Sequence, residues 1–261
     1  MDPLIAGNEY RTPVNALKRK KPLWLSLAFH RKMVMIYWRS SRLAGKGLYD
    51  GEQWALSSLE VLRLLESVGV RFEIDNLDVP YSLSGPCVYI GNHMSTLETM
   101  VLPCLLQPAC NTTFIVKKSL TTGRVFGPIM RSRGPIAVGR SDPREDLKMV
   151  LEGGKERLEK GTSIIVFPQT TRSETFDPTQ FNTIGIKLAR RANALVVPIA
   201  LKTDAWGKGS IAKDFGPIRP DRKVHISFGE PLEVCGAGRE EHEKVVRYIQ
   251  EKLAEWKEGR A

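Results

Sequence analysis

The stretch "YIGNHMSTLETM", residues 89–100, predicts a turn from a strand to a helix. Its first residues end a short apolar run typical of a buried strand, and the residues after His93 are typical of a helix. Turns from strand to helix are the places where α/β proteins carry reactive side chains. His93 is one of only four histidines in the chain, which makes it a candidate catalytic residue.

Glu98, five residues after His93, has two interpretations. A neutral imidazole can take a proton from a hydroxyl, and a nearby carboxylate can orient that imidazole and stabilise the imidazolium that forms. Alternatively, Ser95 and Glu98 form a capping box, in which the carboxylate accepts a hydrogen bond from the backbone N–H of Ser95. Because such a match is common, this stretch alone favours the cap.

Strand-like and helix-like patterns alternate on both sides of this turn. Several of the strand-like runs are continuously apolar, which indicates a sheet covered by helices on both faces. We therefore predict one α/β domain over residues 48–261, with a mixed, mostly parallel sheet and a closing C-terminal helix. The predicted strands cover residues 71–74, 87–92, 113–117, 135–139, 163–168, 194–201 and 223–229. The predicted helices lie near residues 52–68, 96–107, 120–131, 143–159, 178–192 and 240–257.

The net charge of +10 is concentrated at the N-terminus. Residues 1–46 carry ten lysine or arginine side chains and two acidic ones, a net charge of +8, which leaves +2 for the rest. The interrupted apolar stretch at residues 18–40, flanked by cations and carrying tryptophans, predicts an amphipathic helical segment over residues 1–47. Such a segment would lie in an anionic membrane surface. A helix packed on the domain with a solvated basic face is the alternative.

Composition narrows the remaining classes of protein. The low charge of residues 47–261 argues against a nucleic-acid partner. The sequence has no run of eighteen or more apolar residues, so it predicts no membrane-spanning helix. We therefore expect a peripheral (monotopic) membrane protein on the cytoplasmic face. The four cysteines lack the spacing of a metal site or a disulfide framework, so we predict no metal and reduced thiols.

Three further strand ends carry polar side chains. The stretch "RSRGPIAVGR", residues 131–140, ends a strand at Arg140, and "TFIVK" ends one at Lys117. In "SIIVFPQTTRSE", residues 163–174, a strongly apolar strand breaks at Pro168 and is followed by Gln169, Thr170, Thr171 and Arg172. Arginine and hydroxyl groups beyond a strand end can bind a phosphate, although a surface ion pair is the commoner role of such an arginine.

Together these stretches resemble the glycerolipid acyltransferase family, the group that contains the 1-acyl-glycerol-3-phosphate acyltransferases. The likeness covers roughly residues 70–230 and rests on four ordered blocks. The blocks are Asn92-His93 to Glu98, Gly134-Pro135-Ile136 to Arg140, Phe167-Pro168-Gln169-Thr170-Thr171-Arg172, and Val196-Val197-Pro198-Ile199.

The resemblance implies an enzyme and assigns its residues. His93, oriented by Glu98, would act as general base while a fatty acyl group passes from acyl-CoA or acyl-carrier protein to the hydroxyl of a lysophospholipid or related glycerolipid. No cofactor other than this acyl thioester co-substrate is implied. The implied substrate-binding residues are Lys117, Arg140, Gln169, Thr170, Thr171 and Arg172.

Two departures from the family pattern bear on this assignment. Glu98 stands where the family has aspartate, which lengthens the side chain by one methylene. Gln169 and Thr170 replace a Glu-Gly pair, which removes a charge and the most permissive backbone residue of the loop. The second departure motivates the alternative of a non-catalytic, membrane-associated lipid-binding protein with the same fold.

Overall fold

The computed structural model describes residues 5, 7–14, 22–169, 171–209 and 214–258, with the backbone alone at 22–25. Its strands are β1 Tyr10–Arg11, β2 Phe72–Asp75, β3 Cys87–Gly91, β4 Thr112–Lys117, β5 Ile136–Val138, β6 Ser163–Val166, β7 Leu195–Lys202 and β8 Val224–Phe228. Its helices are α1 Pro22–Gly45, α2 Gly51–Ser67, α3 Val79–Ser82, α4 Leu97–Leu106, α5 Phe126–Ser132, α6 Pro143–Glu159, α7 Ile184–Ala192 and α8 Arg239–Glu258.

The strands form one sheet in the order β1-β2-β8-β7-β3-β6-β4-β5. Strands β3 to β7 are parallel to one another, with Val88 of β3 aligned with Ile164 of β6 on one side and Val196 of β7 on the other. Strand β8 runs antiparallel to β7, and β1 runs antiparallel to β2. The predicted mixed, mostly parallel sheet is therefore confirmed.

Helices cover both faces of this sheet, which explains the continuously apolar strands. Alternate residues of β3 enter opposite cores because successive side chains of a strand point to opposite faces. Tyr89 is buried in a core with side chains of α1, α2 and α4, whereas Ile90 is buried in a second core with side chains of α6, α7 and α8.

Helix α1 lies within the predicted segment of residues 1–47 and has two different faces. Phe29 and Met33 are fully buried in the first core, while Leu27, Met35 and Trp38 point outward with more than half of their surface exposed. The helix therefore packs on the domain, and a membrane contact of its apolar outer face stays a prediction. No helix within the described ranges has the length and apolarity needed to cross a bilayer. The division of the chain at residue 47 stays a prediction.

Two predicted helices are shorter in the structure. The pattern near 120–131 resolves into a 3-10 turn, Lys118–Thr121, followed by α5. The pattern near 178–192 resolves into a 3-10 turn, Pro178–Gln180, followed by α7, and the side chain of Asn182 accepts the backbone N–H of Ile184 at 2.9 Å. Asparagine side chains compete in this way with the helical hydrogen bonds of the backbone, so the helix begins later than its apolar pattern.

Candidate active site

The sheet topology brings the four polar strand ends to one edge. Strands β3, β6, β4 and β5 are neighbours in that order and parallel, so their carboxyl ends meet at the same edge. His93 follows β3, Arg172 follows β6, Lys117 ends β4 and Arg140 follows β5. This edge of the sheet is the place where α/β proteins bind their ligands.

His93 and Glu98 are in direct contact. Glu98 Oε1 lies 2.8 Å from His93 Nδ1, and the Glu98 carboxylate is completely buried while a fifth of the His93 side chain is exposed. The same oxygen accepts the backbone N–H groups of Met94 at 2.7 Å and Ser95 at 2.8 Å. Glu98 thus caps the start of α4 and holds the imidazole at the same time.

The second oxygen of Glu98 is bonded from within the protein. Glu98 Oε2 accepts the hydroxyl of Thr203 at 2.5 Å and the hydroxyl of Ser95 at 3.0 Å. Burial acts to raise the pKa of Glu98, but the hydrogen bonds from His93, Thr203 and Ser95 outweigh it and hold the pKa below its ordinary value. Glu98 is therefore a carboxylate in the folded protein.

The charge of Glu98 fixes the tautomer of His93. A carboxylate can only accept hydrogen bonds, so the proton of the neutral imidazole is assigned to Nδ1. Nε2 then carries a lone pair on the opposite side of the ring. An imidazole in this state can accept a proton from a hydroxyl placed against Nε2.

The loop after β6 holds His93 from the other side. The ring of Phe167 stacks on the imidazole with centroids 4.5 Å apart and planes 8° apart. The backbone N–H of His93 donates to Gln169 Oε1 at 2.7 Å, and its carbonyl accepts the N–H of Ser173 at 3.0 Å. The amide oxygen of Gln169 makes this bond without the charge of the glutamate that the family pattern has at this position.

Arg172 lies beside the same helix start. Its Nη1 is 2.7 Å from Asp214 Oδ1 and also bonds the hydroxyl of Thr96, which donates to Asp214 Oδ1 at 3.0 Å. A quarter of the Arg172 side chain is exposed, and no described residue bonds its Nε or Nη2. Thr171 is exposed next to it, and Thr170 lies outside the described residues.

Lys117 and Arg140 lie farther along the same edge. Both are exposed, and β5, which precedes Arg140, is separated from β3 by two strands, or roughly 14 Å at the usual strand spacing. Arg140 has a left-handed backbone with φ of 63°. Asp146 stabilises this turn, because its carboxylate accepts the backbone N–H groups of Gly139 and Arg140 at 2.8 Å each.

Three supporting residues lie outside the predicted site residues, although Asn92 and Phe167 stand in the blocks that resemble the family. Thr203 and Phe167 contact the catalytic candidates, and Asn92 bonds both backbone groups of Leu201, at 2.8 and 2.9 Å, which fixes the end of β3 against β7. Their common signal is a polar or aromatic residue at the end of an apolar strand. That signal marks the correct sheet edge and leaves the partner of each residue undefined.

The chain is similar in sequence to known proteins. Residues 70–202 match the family described as acyltransferase. The chain is 29% identical to the 1-acyl-sn-glycerol-3-phosphate acyltransferase of Pseudomonas aeruginosa over 210 residues, 78% of this chain and 76% of that protein. It is 33% identical to the chloroplastic 1-acyl-sn-glycerol-3-phosphate acyltransferase BAT2 of Brassica napus over 131 residues, 50% of this chain and 37% of that protein.

A solved structure has the same fold. The crystal structure of the 1-acyl-sn-glycerophosphate acyltransferase PlsC from Thermotoga maritima superposes with a TM-score of 0.67 at 18% identity, covering 90% of this chain and 96% of that one. The match to the family extends over about half of the chain. The chain therefore belongs to the acyltransferase family, and it is an enzyme that transfers acyl groups.

Proposed function

We propose that this acyltransferase moves a fatty acyl group from an acyl thioester to the free hydroxyl of a 1-acylglycerol-3-phosphate or a related lysophospholipid. The names of the relatives in Pseudomonas aeruginosa and Brassica napus support this acceptor. The observation that carries the proposal is the buried Glu98 carboxylate at 2.8 Å from His93 Nδ1, with Arg172 bonded to the first turn of the same helix through Thr96.

In the proposed reaction His93 acts as general base. Its Nε2 removes the proton of the acceptor hydroxyl while the hydroxyl oxygen forms a bond to the thioester carbonyl carbon. Glu98 stabilises the imidazolium that results. The tetrahedral intermediate then collapses, the carbon–sulfur bond breaks, and the departing thiolate takes the proton from Nε2 to leave as a thiol. The acyl group passes directly to the acceptor without a covalent acyl-enzyme.

We assign the acceptor phosphate to Arg172 and Thr171. The Nε and Nη2 donors of Arg172 form a pair that suits two phosphate oxygens. Lys117 and Arg140 add positive charge farther along the edge, where they attract anionic substrates. Gln169 and Thr170 complete the substrate loop in this proposal. Gln169 does so through its hydrogen bond to the backbone of His93.

The donor is proposed to be acyl-CoA or acyl-carrier protein. Both present the acyl chain as a thioester of the same phosphopantetheine group, so the steps at His93 are the same for either. The reaction as written uses no metal ion and no further cofactor. Both donors belong to the cytoplasm, which supports a place on the cytoplasmic face of a membrane.

The outer face of α1 is the proposed membrane contact. Leu27, Val34, Met35 and Trp38 are exposed at helical spacing, and the cations Arg31 and Lys32 are exposed beside them. An apolar stripe flanked by cations suits a helix that lies in the interface of an anionic leaflet. A peripheral protein held in this way meets its acceptor at the level of the lipid headgroups.

A lipid-mass profile of cells expressing the wild-type protein or His93→Ala tests the proposal. We expect a phospholipid with two acyl chains to accumulate with the wild type alone, at the expense of its lysophospholipid. Purified protein with an acyl thioester and the identified acceptor should reproduce the product. Lipid binding without acyl transfer from either donor, or full activity of His93→Ala, would contradict the proposal.

A further inference from the structure

The inner face of α1 contacts a segment that follows β7. His30 Nε2 lies 2.8 Å from the carbonyl oxygen of Gly216, and the Ser26 hydroxyl oxygen accepts the backbone N–H of Ile218 at 3.1 Å. Helix α1 is therefore joined to this segment by two hydrogen bonds. Its outer face, on the opposite side, is the one proposed to contact the membrane.

The same segment reaches the acceptor site. Asp214, two residues before Gly216, contacts Arg172 Nη1 at 2.7 Å. The carbonyl of Asp214 accepts the indole N–H of Trp206 at 3.1 Å, which fixes the backbone at this position. A second ion pair, between Arg219 and Glu174 at 2.9 Å, joins the segment to the loop that carries Arg172. The chain of contacts thus runs from α1 to Arg172 at the start of α4.

His30 makes the contact between α1 and Gly216 in this chain. A carbonyl oxygen only accepts, so the His30 proton is assigned to Nε2 and its bond to Gly216 is a donated one. His30 Nδ1 is buried and has no hydrogen-bond partner among the described residues. Around it, the ring packs against Phe29, Trp206 and Phe215, with centroids 5.1 to 6.0 Å away.

An apolar side chain would fill this space without leaving a buried nitrogen unsatisfied. A buried polar atom without a partner costs stability, so the imidazole is not explained by packing alone. What the imidazole adds is a directed bond that fixes Gly216 relative to α1. Such a bond is useful where acyl transfer depends on the position of Gly216 and of Asp214, two residues before it.

We propose that His30 is a positioning residue for the acceptor-phosphate site, acting through Gly216 and Asp214 on Arg172. The inference rests on the proposed function, in which Arg172 binds the phosphate. In this arrangement α1 serves two purposes with its two faces. The outer face sets where the enzyme lies on the membrane, and the inner face sets where the phosphate-binding arginine lies relative to His93.

The test compares His30→Leu with His30→Gln in the full-length protein. The acceptor is a short-chain 1-acylglycerol-3-phosphate below its micelle concentration, so that membrane binding does not enter the measurement. His30→Leu removes the donor and keeps the volume, and we expect KM for the acceptor to rise about fivefold with kcat and KM for the acyl-CoA donor unchanged. His30→Gln keeps a donor near Nε2 and is expected to restore KM.

A double-mutant cycle with Asp214→Ala tests the route. If His30 acts through Asp214, the Asp214→Ala variant raises KM by a similar factor, and the double variant raises it no further than either single variant. Additive effects would overturn the proposed route. A lower KM in Asp214→Ala would also overturn it, because Asp214 would then compete with the phosphate instead of positioning Arg172.

Two controls separate the possible failures. Met149→Ser changes an exposed side chain on α6 and is expected to match the wild type in KM. Vesicle binding by His30→Leu is expected to equal that of the wild type. Trp38→Ser is expected to weaken vesicle binding by a larger factor than the factor by which it changes KM for the soluble acceptor.

An active His30→Leu with the wild-type KM would overturn the inference. A wild type without transfer to any lysophospholipid would instead overturn the proposed function. If His30→Leu fails to fold, Asp214→Ala with an unchanged KM overturns the inference by itself.

Discussion

Glu98 Oε1 accepts hydrogen bonds from both His93 Nδ1 and the backbone N–H of Ser95, at 2.8 Å each. One buried charge therefore both begins a helix and orients an imidazole. The position of the histidine relative to the helix is set by this shared oxygen. Any loss of that charge is expected to affect stability and acyl transfer together.

His93→Ala is expected to lower kcat by a factor on the order of 10²–10⁴, because the general base is removed while the acceptor and donor sites remain. Initial rates with saturating acyl-CoA and lysophospholipid measure this. The matched control is His242→Ala on α8, whose ring stacks on Phe181, a residue of the second core. Equal losses in the two variants would argue against a specific role for His93.

Glu98→Gln keeps the size of the side chain and removes its charge. We expect the free energy of unfolding to fall by about 1–3 kcal/mol, because the converging donors lose a carboxylate. We also expect kcat to fall, because an amide stabilises the imidazolium less well. Urea unfolding and initial rates measure the two effects. A loss of stability with unchanged kcat would show that Glu98 acts only as a helix cap.

Thr203→Val removes the 2.5 Å hydrogen bond to Glu98 and is expected to raise the pKa of that carboxyl. A group whose pKa is lowered by folding stabilises the folded state above its unfolded pKa, and that contribution is lost as the pH falls through the folded value. Acid unfolding of Thr203→Val should therefore begin at a higher pH than in the wild type. Thr203→Ser, which keeps the hydroxyl, should behave like the wild type, and identical acid unfolding of all three proteins would refute this coupling.

Gln169→Glu keeps the acceptor for the His93 N–H and adds a negative charge to the substrate loop. Acyl transfer is expected to survive, while KM for an anionic acceptor rises and becomes more sensitive to salt, because added ions screen the new repulsion. Gln169→Leu removes the acceptor and should destabilise the protein by about 1–3 kcal/mol. A salt-independent KM in Gln169→Glu would show that this side chain does not sense the charge of the acceptor.

The outer face of α1 is best tested by point substitutions. Deleting residues 1–40 would remove Phe29 and Met33 from the core, so a loss of vesicle binding could follow from unfolding. Met35→Ser with Trp38→Ser leaves the core intact and should weaken binding to anionic vesicles in a sedimentation assay. Leu56→Ser, an exposed leucine on α2, is the matched control. Equal binding by all these proteins would exclude the outer face as the membrane contact.

The sequence was sufficient for the features that depend on nearby residues. The strand before His93, the cap formed by Ser95 and Glu98 and the closing helix α8 follow from local patterns of apolar and polar residues, and the structure has each of them. Parallel strands then place Arg172 and Arg140 at one edge without further information.

The partners from distant parts of the chain could not be predicted in this way. Thr203 meets Glu98 across 105 residues and His30 meets Gly216 across 186, and neither pairing leaves a local periodic pattern. The two faces of α1 were also ambiguous, because an apolar stripe has the same spacing whether it meets a core or a membrane. Only the packing of the helix on the domain shows which of its residues are buried and which are exposed.

The adjacency of β3 and β6 sets a length scale for the acceptor. Neighbouring strands lie about 4.8 Å apart, so the segments that carry His93 and Arg172 start from points one strand spacing apart. In the proposed acceptor the reactive hydroxyl and the phosphate lie a few covalent bonds apart, so one lipid headgroup could engage both segments. The strand spacing therefore bears on the size of the lipid headgroup and not on the length of the acyl chain.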